Sequence, residues 1–169
     1  KISGTGMKRR LFTSTVLAMG VLGPISIVTG FARQANAASA LKNQDLPILT
    51  VFRSPTCGCC EDWVAHVKAA GFDVSEHVTE NMDGVKAQYG VPERLSSCHT
   101  ALAQGYFIEG HVPAVEVKRL LNEQPEIAGI AVPGMPMGSP GMEQGDRIDP
   151  FVVVALDKSG GLSLFADYR

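Results

Sequence analysis

Three of the four cysteines in this chain lie within four residues, Cys57-Gly58-Cys59-Cys60. An apolar run, 46–52, precedes them, and residues 61–70 follow with apolar side chains at helical spacing. This arrangement predicts a strand-to-helix junction with the thiols in the first turn of the helix. Unpaired backbone N–H groups and the positive end of the helix dipole stabilise thiolate there, which is the form that attacks disulfides and binds metals.

The rest of the chain predicts alternating strands and helices. Periodicity and breaker residues predict strands at 47–52, 72–78, 100–103, 106–109, 151–156 and 162–165, and helices at 59–70, 83–89 and 113–123. Gln104-Gly105 is typical of a tight hairpin turn, and residues 157–161 predict a second hairpin. A C-x-x-C motif that follows the first strand and opens the first helix resembles the thioredoxin-like fold, so we predict an α/β thioredoxin-like domain with a C-terminal hairpin extension.

The first 37 residues have the pattern of an export signal. A basic head at 7–10 precedes a mostly apolar stretch, 11–31, and Ala35-Asn36-Ala37 resembles a signal cleavage site. Arg9-Arg10 fits a twin-arginine signal, and the ordinary secretory route stays open. Residues 1–6 precede Met7 and are expected to be a remnant either of upstream translation or of cloning. We therefore predict a signal at 1–37, a linker at 38–45, a single metal-binding domain at 46–169 and no permanent membrane span.

The net charge of the chain argues against nucleic acid as a partner. The predicted signal contains five Lys/Arg and no Asp/Glu, so the remaining chain has 10 basic and 17 acidic residues and a net charge of −7. Nucleic acid binding requires a basic surface, which this balance does not provide. The negative net charge favours the attraction of cations.

The cysteine spacing disfavours two structural disulfides. A structural disulfide stabilises a fold chiefly by closing a long loop, and a disulfide among three cysteines within four residues closes no long loop. Cys57 and Cys60 have the spacing of a reversible dithiol, whereas Cys59 is superfluous for simple electron exchange. Three sulfurs in one turn favour a soft metal ion, and Cys98, beside His99, is a candidate fourth sulfur if the fold returns it to the junction.

Copper(I) is the predicted metal and zinc is the alternative. Structural zinc usually takes two separated ligand pairs, which a three-plus-one pattern fits poorly. A flexible loop, 132–145, contains three methionines whose thioethers can bind copper(I), and Met137 is the first candidate among them. His66, His77 and His111 lack a neighbouring ligand in sequence, so we predict structural or surface roles for them, with His66 solvated and Trp63 in the core.

Four segments resemble the CopG-type periplasmic copper-resistance proteins, a family long described as a domain of unknown function: 57–63, 97–100, 110–114 and 134–142. The resemblance covers nearly all of residues 48–156. It implies a periplasmic thioredoxin-like domain that binds copper through the cysteine cluster, assists copper resistance and works with other periplasmic copper-handling proteins. It also implies possible redox activity toward copper.

Two functional hypotheses follow. The first is an exported copper-binding protein with Cys57, Cys59, Cys60 and Cys98 as thiolate ligands and His99 or Met137 as supplementary ligands. The second is a periplasmic thiol–disulfide oxidoreductase in which Cys57 attacks a substrate disulfide and Cys60 resolves it. Whether the chain is an enzyme stays open, and a zinc-stabilised interaction module is a third possibility.

Overall fold

A computed structural model of the chain describes residues 46–169. The predicted export signal, 1–37, and linker, 38–45, lie outside the described residues. The described part contains three α-helices, α1 (Gly58–Ala69), α2 (Met82–Gln88) and α3 (Ala114–Glu123), and a 3-10 turn, Glu93–Leu95. Its strands are β1 (Leu49–Arg53), β2 (Val74–Val78), β3 (His99–Ala103), β4 (Tyr106–Glu109), β5 (Ile127–Ala131), β6 (Phe151–Asp157) and β7 (Leu162–Tyr168).

All seven strands form one mixed sheet in the order β2-β1-β3-β4-β5-β6-β7. The pairs β1–β2 and β4–β5 are parallel, and the other neighbouring pairs are antiparallel. The α/β class is confirmed, and β2-β1-β3-β4 with its helices has the thioredoxin-like arrangement that the element order predicts. The C-terminal hairpin, β6–β7, extends the sheet through β5, a strand for which the sequence pattern gives no assignment.

Helix α1 forms as predicted because its buried residues recur at helical spacing. Cys60, Trp63, Val64 and Val67 are buried, and Gly71, with φ of +98°, follows the end of the helix. Helices α1 and α3 pack on one face of the sheet, where most of the apolar core lies. A smaller cluster, which includes Leu95 and Phe107, covers the opposite face. No helix within residues 46–169 is long and apolar enough to cross a bilayer.

Candidate metal centre

The cysteine cluster lies where β1 leads into α1. Cys57 is the N-cap residue of α1 and makes no side-chain capping hydrogen bond. Its Sγ lies 3.6 Å from Sγ of Cys59, which in turn lies 3.8 Å from Sγ of Cys98. The four cysteines can present their sulfurs within 4.8 Å of one another. The predicted juxtaposition of Cys98 with the other three is therefore present.

Sheet topology explains how Cys98 reaches this position. Strand β3 pairs antiparallel with β1, and His99, its first residue, lies opposite Arg53, the last residue of β1. The end of β1 leads into the cysteine cluster, so the residue before β3 must lie beside it. Cys98 is that residue, and its carbonyl oxygen is 3.7 Å from Sγ of Cys60.

Two of the four cysteines are oxidised in this structure. Cys57 and Cys60 form a disulfide, whereas Cys59 and Cys98 are free and half-buried. The disulfide spans only three residues in sequence, so loop closure gives it little stabilising value, in agreement with the argument against structural stapling. It shows that the Cys57–Cys60 spacing allows the two sulfurs to bond to each other.

His111 is a ligand candidate that the sequence analysis missed. It is fully buried, and its Nε2 lies 2.9 Å from Sγ of Cys98. Its Nδ1 lies 2.8 Å from the carbonyl oxygen of Pro140. A carbonyl can only accept, so Nδ1 carries the proton and donates it, which leaves the lone pair of Nε2 directed at the sulfur. This is the tautomer that a metal ligand needs.

His99 also lies beside Cys98, and its ring packs edge-to-face against that of His111 with 5.1 Å between the ring centres. It is fully buried, packs its ring 4.4 Å from that of Trp63, and places Nδ1 3.4 Å from Sγ of Cys98. Its Nε2 has no hydrogen-bond partner. A buried nitrogen without a partner is costly, whereas the nitrogen that lies beside the Cys98 sulfur is Nδ1. Cys98, His99 and His111 form a second group of potential metal ligands that shares Cys98 with the four cysteines.

Burial sets the protonation of these groups. Burial, together with the neighbouring Cys59, raises the pKa of Cys98 to about 12, so its thiol is protonated at neutral pH. Burial also lowers the pKa of His111, and it lowers that of His99 still further, aided by His111 and Lys86. Both imidazoles are therefore neutral near pH 7, which is the form that binds metal ions.

The methionine-rich loop packs directly on the site. Gly141 lies so close to α1 that a Cβ atom there would be 2.7 Å from both the carbonyl oxygen of Cys59 and the amide nitrogen of Trp63. The Gly134 amide donates to the carbonyl oxygen of Ser96 at 3.2 Å, and Pro140 holds His111. The loop therefore packs against the first turn of α1 and fixes one of the imidazoles.

Met137 belongs to the same loop. It is half-buried, and its backbone exchanges hydrogen bonds with Asp149: the Met137 amide donates to the carboxylate and the Asp149 amide donates to the Met137 carbonyl. These contacts fix the backbone of Met137 in the loop, and its role as a metal ligand stays a prediction.

The other predicted residues lie as follows. Trp63 is fully buried in the core, as expected, and its Nε1 donates to the carbonyl oxygen of Val112 at 2.8 Å. The expectation of a solvated His66 is wrong, because its side chain is half-buried and Nε2 accepts a hydrogen bond from the Ala114 amide at the start of α3. His77 is exposed on β2 and stacks on Phe52.

Comparison with known proteins adds the family. A family model described as "Protein of unknown function, DUF411" matches residues 95–142. No curated protein matches the chain. A solved structure described as "Copper resistance protein copG- Form 2" is 48% identical, with a TM-score of 0.71, over 73% of this chain and 99% of its own. Its "Form 1" counterpart is 48% identical, with a TM-score of 0.70, over 73% and 98%. The chain belongs to the CopG family.

The predicted CopG-type resemblance is thus confirmed. In this CopG-family chain the segment matched by the family model includes Cys98, His99, His111 and Met137, whereas the cysteine cluster at 57–60 precedes it. The segment therefore contains the sulfur of Cys98, both imidazoles and most of the methionine-rich loop. The CopG structures align with nearly their whole length, which agrees with the sheet and the site belonging to one fold.

Proposed function

We propose that the protein binds copper(I) through Cys57, Cys59, Cys60 and Cys98 and serves copper resistance or homeostasis. The observation that carries this proposal is the 3.8 Å distance between Sγ of Cys59 and Sγ of Cys98, residues that are 39 positions apart in sequence. A fold that brings a distant thiol to three others builds a soft-donor site, for which copper(I) is a preferred ion. The name of the CopG relatives as copper resistance proteins supports the choice of copper.

Supplementary ligands follow from the surroundings of Cys98. His99 was predicted, and we add His111, because its Nε2 is aimed at the same sulfur and its Nδ1 is held by Pro140. Met137, from the methionine-rich loop, completes the proposed set of ligands. Zinc stays the alternative ion, although three sulfurs in one helical turn do not resemble the separated pairs of a structural zinc site.

The disulfide suggests how the site could be redox-active toward copper. Four-thiolate binding requires that Cys57 and Cys60 be reduced, whereas the structure has them oxidised. Reduction of this disulfide takes two electrons and yields two thiolates. Two copper(I) ions can supply one electron each and become copper(II), so the pair could couple its own reduction to copper oxidation.

Location and partners follow from the export prediction. A signal at 1–37 would deliver the domain at 46–169 to the periplasm, by the twin-arginine or the ordinary route. We propose that other periplasmic copper-handling proteins supply or receive the ion. The net charge of −7 expected after signal removal suits a cationic cargo.

Metal and thiol counts on one sample test the proposal. Reduced, copper-free protein should expose four reactive thiols, and loading with copper(I) should protect all of them until a copper(I) chelator restores their reactivity. Elemental analysis measures copper and zinc on the same material. Copper-loaded protein in which all four thiols still react would contradict the four-sulfur site.

A second function, thiol–disulfide oxidoreduction by Cys57 and Cys60, is favoured by the disulfide between them at the start of α1. It predicts turnover of a disulfide substrate by a variant in which Cys59 and Cys98 are both serine. The copper proposal predicts that the same variant no longer retains copper. One protein preparation therefore discriminates the two functions.

Copper(I) binding should strengthen as the pH rises. Because the pKa of Cys98 is about 12, this thiol is protonated from about pH 6 to about pH 8 and must lose its proton when its sulfur binds the ion. Metal and proton compete, so Cys98 alone should contribute about a tenfold gain in affinity per pH unit. Apparent dissociation constants across this range should give a steeper slope for the wild type than for Cys98→Ser, by about one proton. Equal slopes would show that Cys98 keeps its proton.

A further inference from the structure

A buried ion pair lies behind Cys98, on the sheet face opposite α1. The carboxylate of Glu109, on β4, is fully buried and pairs with the ammonium group of Lys86, on α2, which is 8% exposed. The Lys86 Nζ also donates to the Thr100 hydroxyl at 3.2 Å, and that hydroxyl donates to the Glu109 carboxylate at 2.6 Å. The amide of Ser97 donates to the same carboxylate at 2.6 Å.

Stability alone does not account for this arrangement. Removing two charges from water costs several kcal/mol per ion, and apolar side chains of similar volume are often at least as stabilising. Glu109 lies on the same face of β4 as Phe107, which belongs to a cluster of apolar side chains that also includes Leu95. A buried pair of this kind is best explained by something that it orients.

The hydrogen bond of the Ser97 amide indicates that the ion pair orients the backbone that leads into Cys98. This residue precedes Cys98 and lies before the first residue of β3, so it is not among the residues that pair β3 with β1 or β4. The Glu109 carboxylate accepts the hydrogen bond of the Ser97 amide. The same carboxylate accepts a hydrogen bond from the Thr100 hydroxyl, which follows Cys98 in sequence. The two residues that flank the Cys98–His99 pair are thus attached to one buried side chain.

We propose that Glu109 is a positioning residue, and that its carboxylate, held by Lys86 and Thr100, binds the Ser97 amide and thereby keeps the Cys98 sulfur opposite Cys59. The consequence for copper rests on the proposed function, whereas the positioning of the two thiols does not. The acceptor oxygen is the essential feature, and the positive charge of Lys86 serves to keep the buried carboxylate paired.

Two double variants separate the acceptor from the charge. Lys86→Met with Glu109→Gln removes both charges and keeps an acceptor oxygen for the Ser97 amide. Lys86→Met with Glu109→Leu also removes both charges and keeps the volume, but it provides no acceptor. The two variants differ only in the side chain at position 109, so each is the matched control of the other.

The measurement is the effective concentration of the Cys59 thiol at Cys98, without copper. Each double substitution at positions 86 and 109 is combined with Cys57→Ser and Cys60→Ser in the whole chain, so that Cys59 and Cys98 are the only thiols. The protein is equilibrated with glutathione buffers, in which one oxidised glutathione and the two protein thiols give one protein disulfide and two reduced glutathiones. The fraction oxidised then gives the effective concentration.

We expect the Gln variant to match the parent and the Leu variant to lose about tenfold or more, the size typical for loss of a group that orients a ligand. Equal effective concentrations in the Gln and Leu variants would overturn the proposal. If the Leu variant does not fold, Thr100→Val supplies the test, because it removes the hydroxyl that holds the carboxylate. It should lower the effective concentration, and an unchanged value would overturn the proposal.

Copper binding by the corresponding variants with all four cysteines distinguishes this inference from the proposed function. Copper retention should follow the same order, with the Gln variant close to the wild type and the Leu variant weaker. If the wild type retains no copper while the effective concentrations still differ as expected, the proposed function fails and the positioning role stands.

Discussion

Cys98→Ser is expected to lower the apparent affinity for copper(I) by about a hundredfold or more, which corresponds to about 2.7 kcal/mol or more. The thiolate is a soft donor and the serine hydroxyl is a hard one, so copper(I) loses a ligand that oxygen does not replace. The affected sulfur lies beside Cys59, His99 and His111, so its loss removes the thiolate that links the cysteines at the start of α1 to the two imidazoles.

The same substitution should leave the fold intact. Cys98 is half-buried and free, and a serine hydroxyl can still donate a hydrogen bond to Nε2 of His111. Unfolding by urea should therefore give a free energy within about 1 kcal/mol of the wild type. Competition with a copper(I) chelator of known affinity measures the loss of binding.

Cys98→Ala is the control for this experiment. It also lacks the sulfur, but it leaves His111 Nε2 without a hydrogen-bond partner, so it should cost more stability than Cys98→Ser and equally much copper affinity. Equal affinity losses in the two variants would assign the effect to the sulfur. Wild-type affinity in Cys98→Ser would defeat the shared site, whatever the stability of either variant.

The local parts of this fold were predictable because short-range patterns encode them. The apolar spacing from Cys60 to Val67 defined α1 to within a residue at each end. The Gln104-Gly105 turn predicted the β3–β4 hairpin, and both residues have the positive φ that a tight hairpin needs. Strand β5 was left unassigned although Ile127–Ala131 lies in a short apolar run between Pro125 and Pro133-Gly134, because periodicity alone does not distinguish a buried strand from a buried helical segment in so short a run.

His111 was missed although the predicted hairpin contains the signal for it. A two-residue turn at 104–105 pairs Ala103 with Tyr106, and the observed register continues to Thr100 opposite Glu109. Two more steps place Cys98 opposite His111, so the register implies the 2.9 Å contact between them. Neighbours in sequence do not indicate the role of this histidine, because its partner lies across a hairpin.

The buried pair of Lys86 and Glu109 could not have been predicted from the sequence pattern. Charged residues in short amphipathic elements usually face water, and the family-like segment 110–114 begins only after Glu109, while Lys86 lies outside all four segments. Their meeting depends on how α2 packs on the sheet, which local periodicity does not determine. Likewise, no sequence pattern fixes the oxidation of Cys57 and Cys60, because the same spacing serves a dithiol, a disulfide and a metal site.

Gly141→Ala is expected to weaken both the fold and copper retention. Gly141 has φ of +84°, a conformation that costs an alanine about 1–2 kcal/mol. Its Cβ would also lie 2.7 Å from backbone atoms of Cys59 and Trp63, closer than such contacts allow, and overpacking of this kind adds roughly 1–3 kcal/mol. We therefore expect the free energy of unfolding to fall by about 2–5 kcal/mol.

Gly134→Ala is the matched control for Gly141→Ala. Gly134 lies in the same loop with φ of +70°, but a Cβ atom there would meet nothing within 4 Å. Gly134→Ala therefore has the same cost of positive φ as Gly141→Ala, but its Cβ collides with nothing. The difference in free energy of unfolding between the two variants isolates the contact between the loop and the first turn of α1. Urea unfolding of each variant measures that difference.

The copper readout decides whether this contact serves the site. Relief of the collision would move the loop away from α1, and with it the Pro140 carbonyl that holds Nδ1 of His111. Release of that imidazole should speed copper(I) transfer to a chelator by about tenfold or more in Gly141→Ala relative to Gly134→Ala. If the two variants release copper at the same rate while differing in stability, the loop supports the fold and His111 does not depend on it to bind the metal.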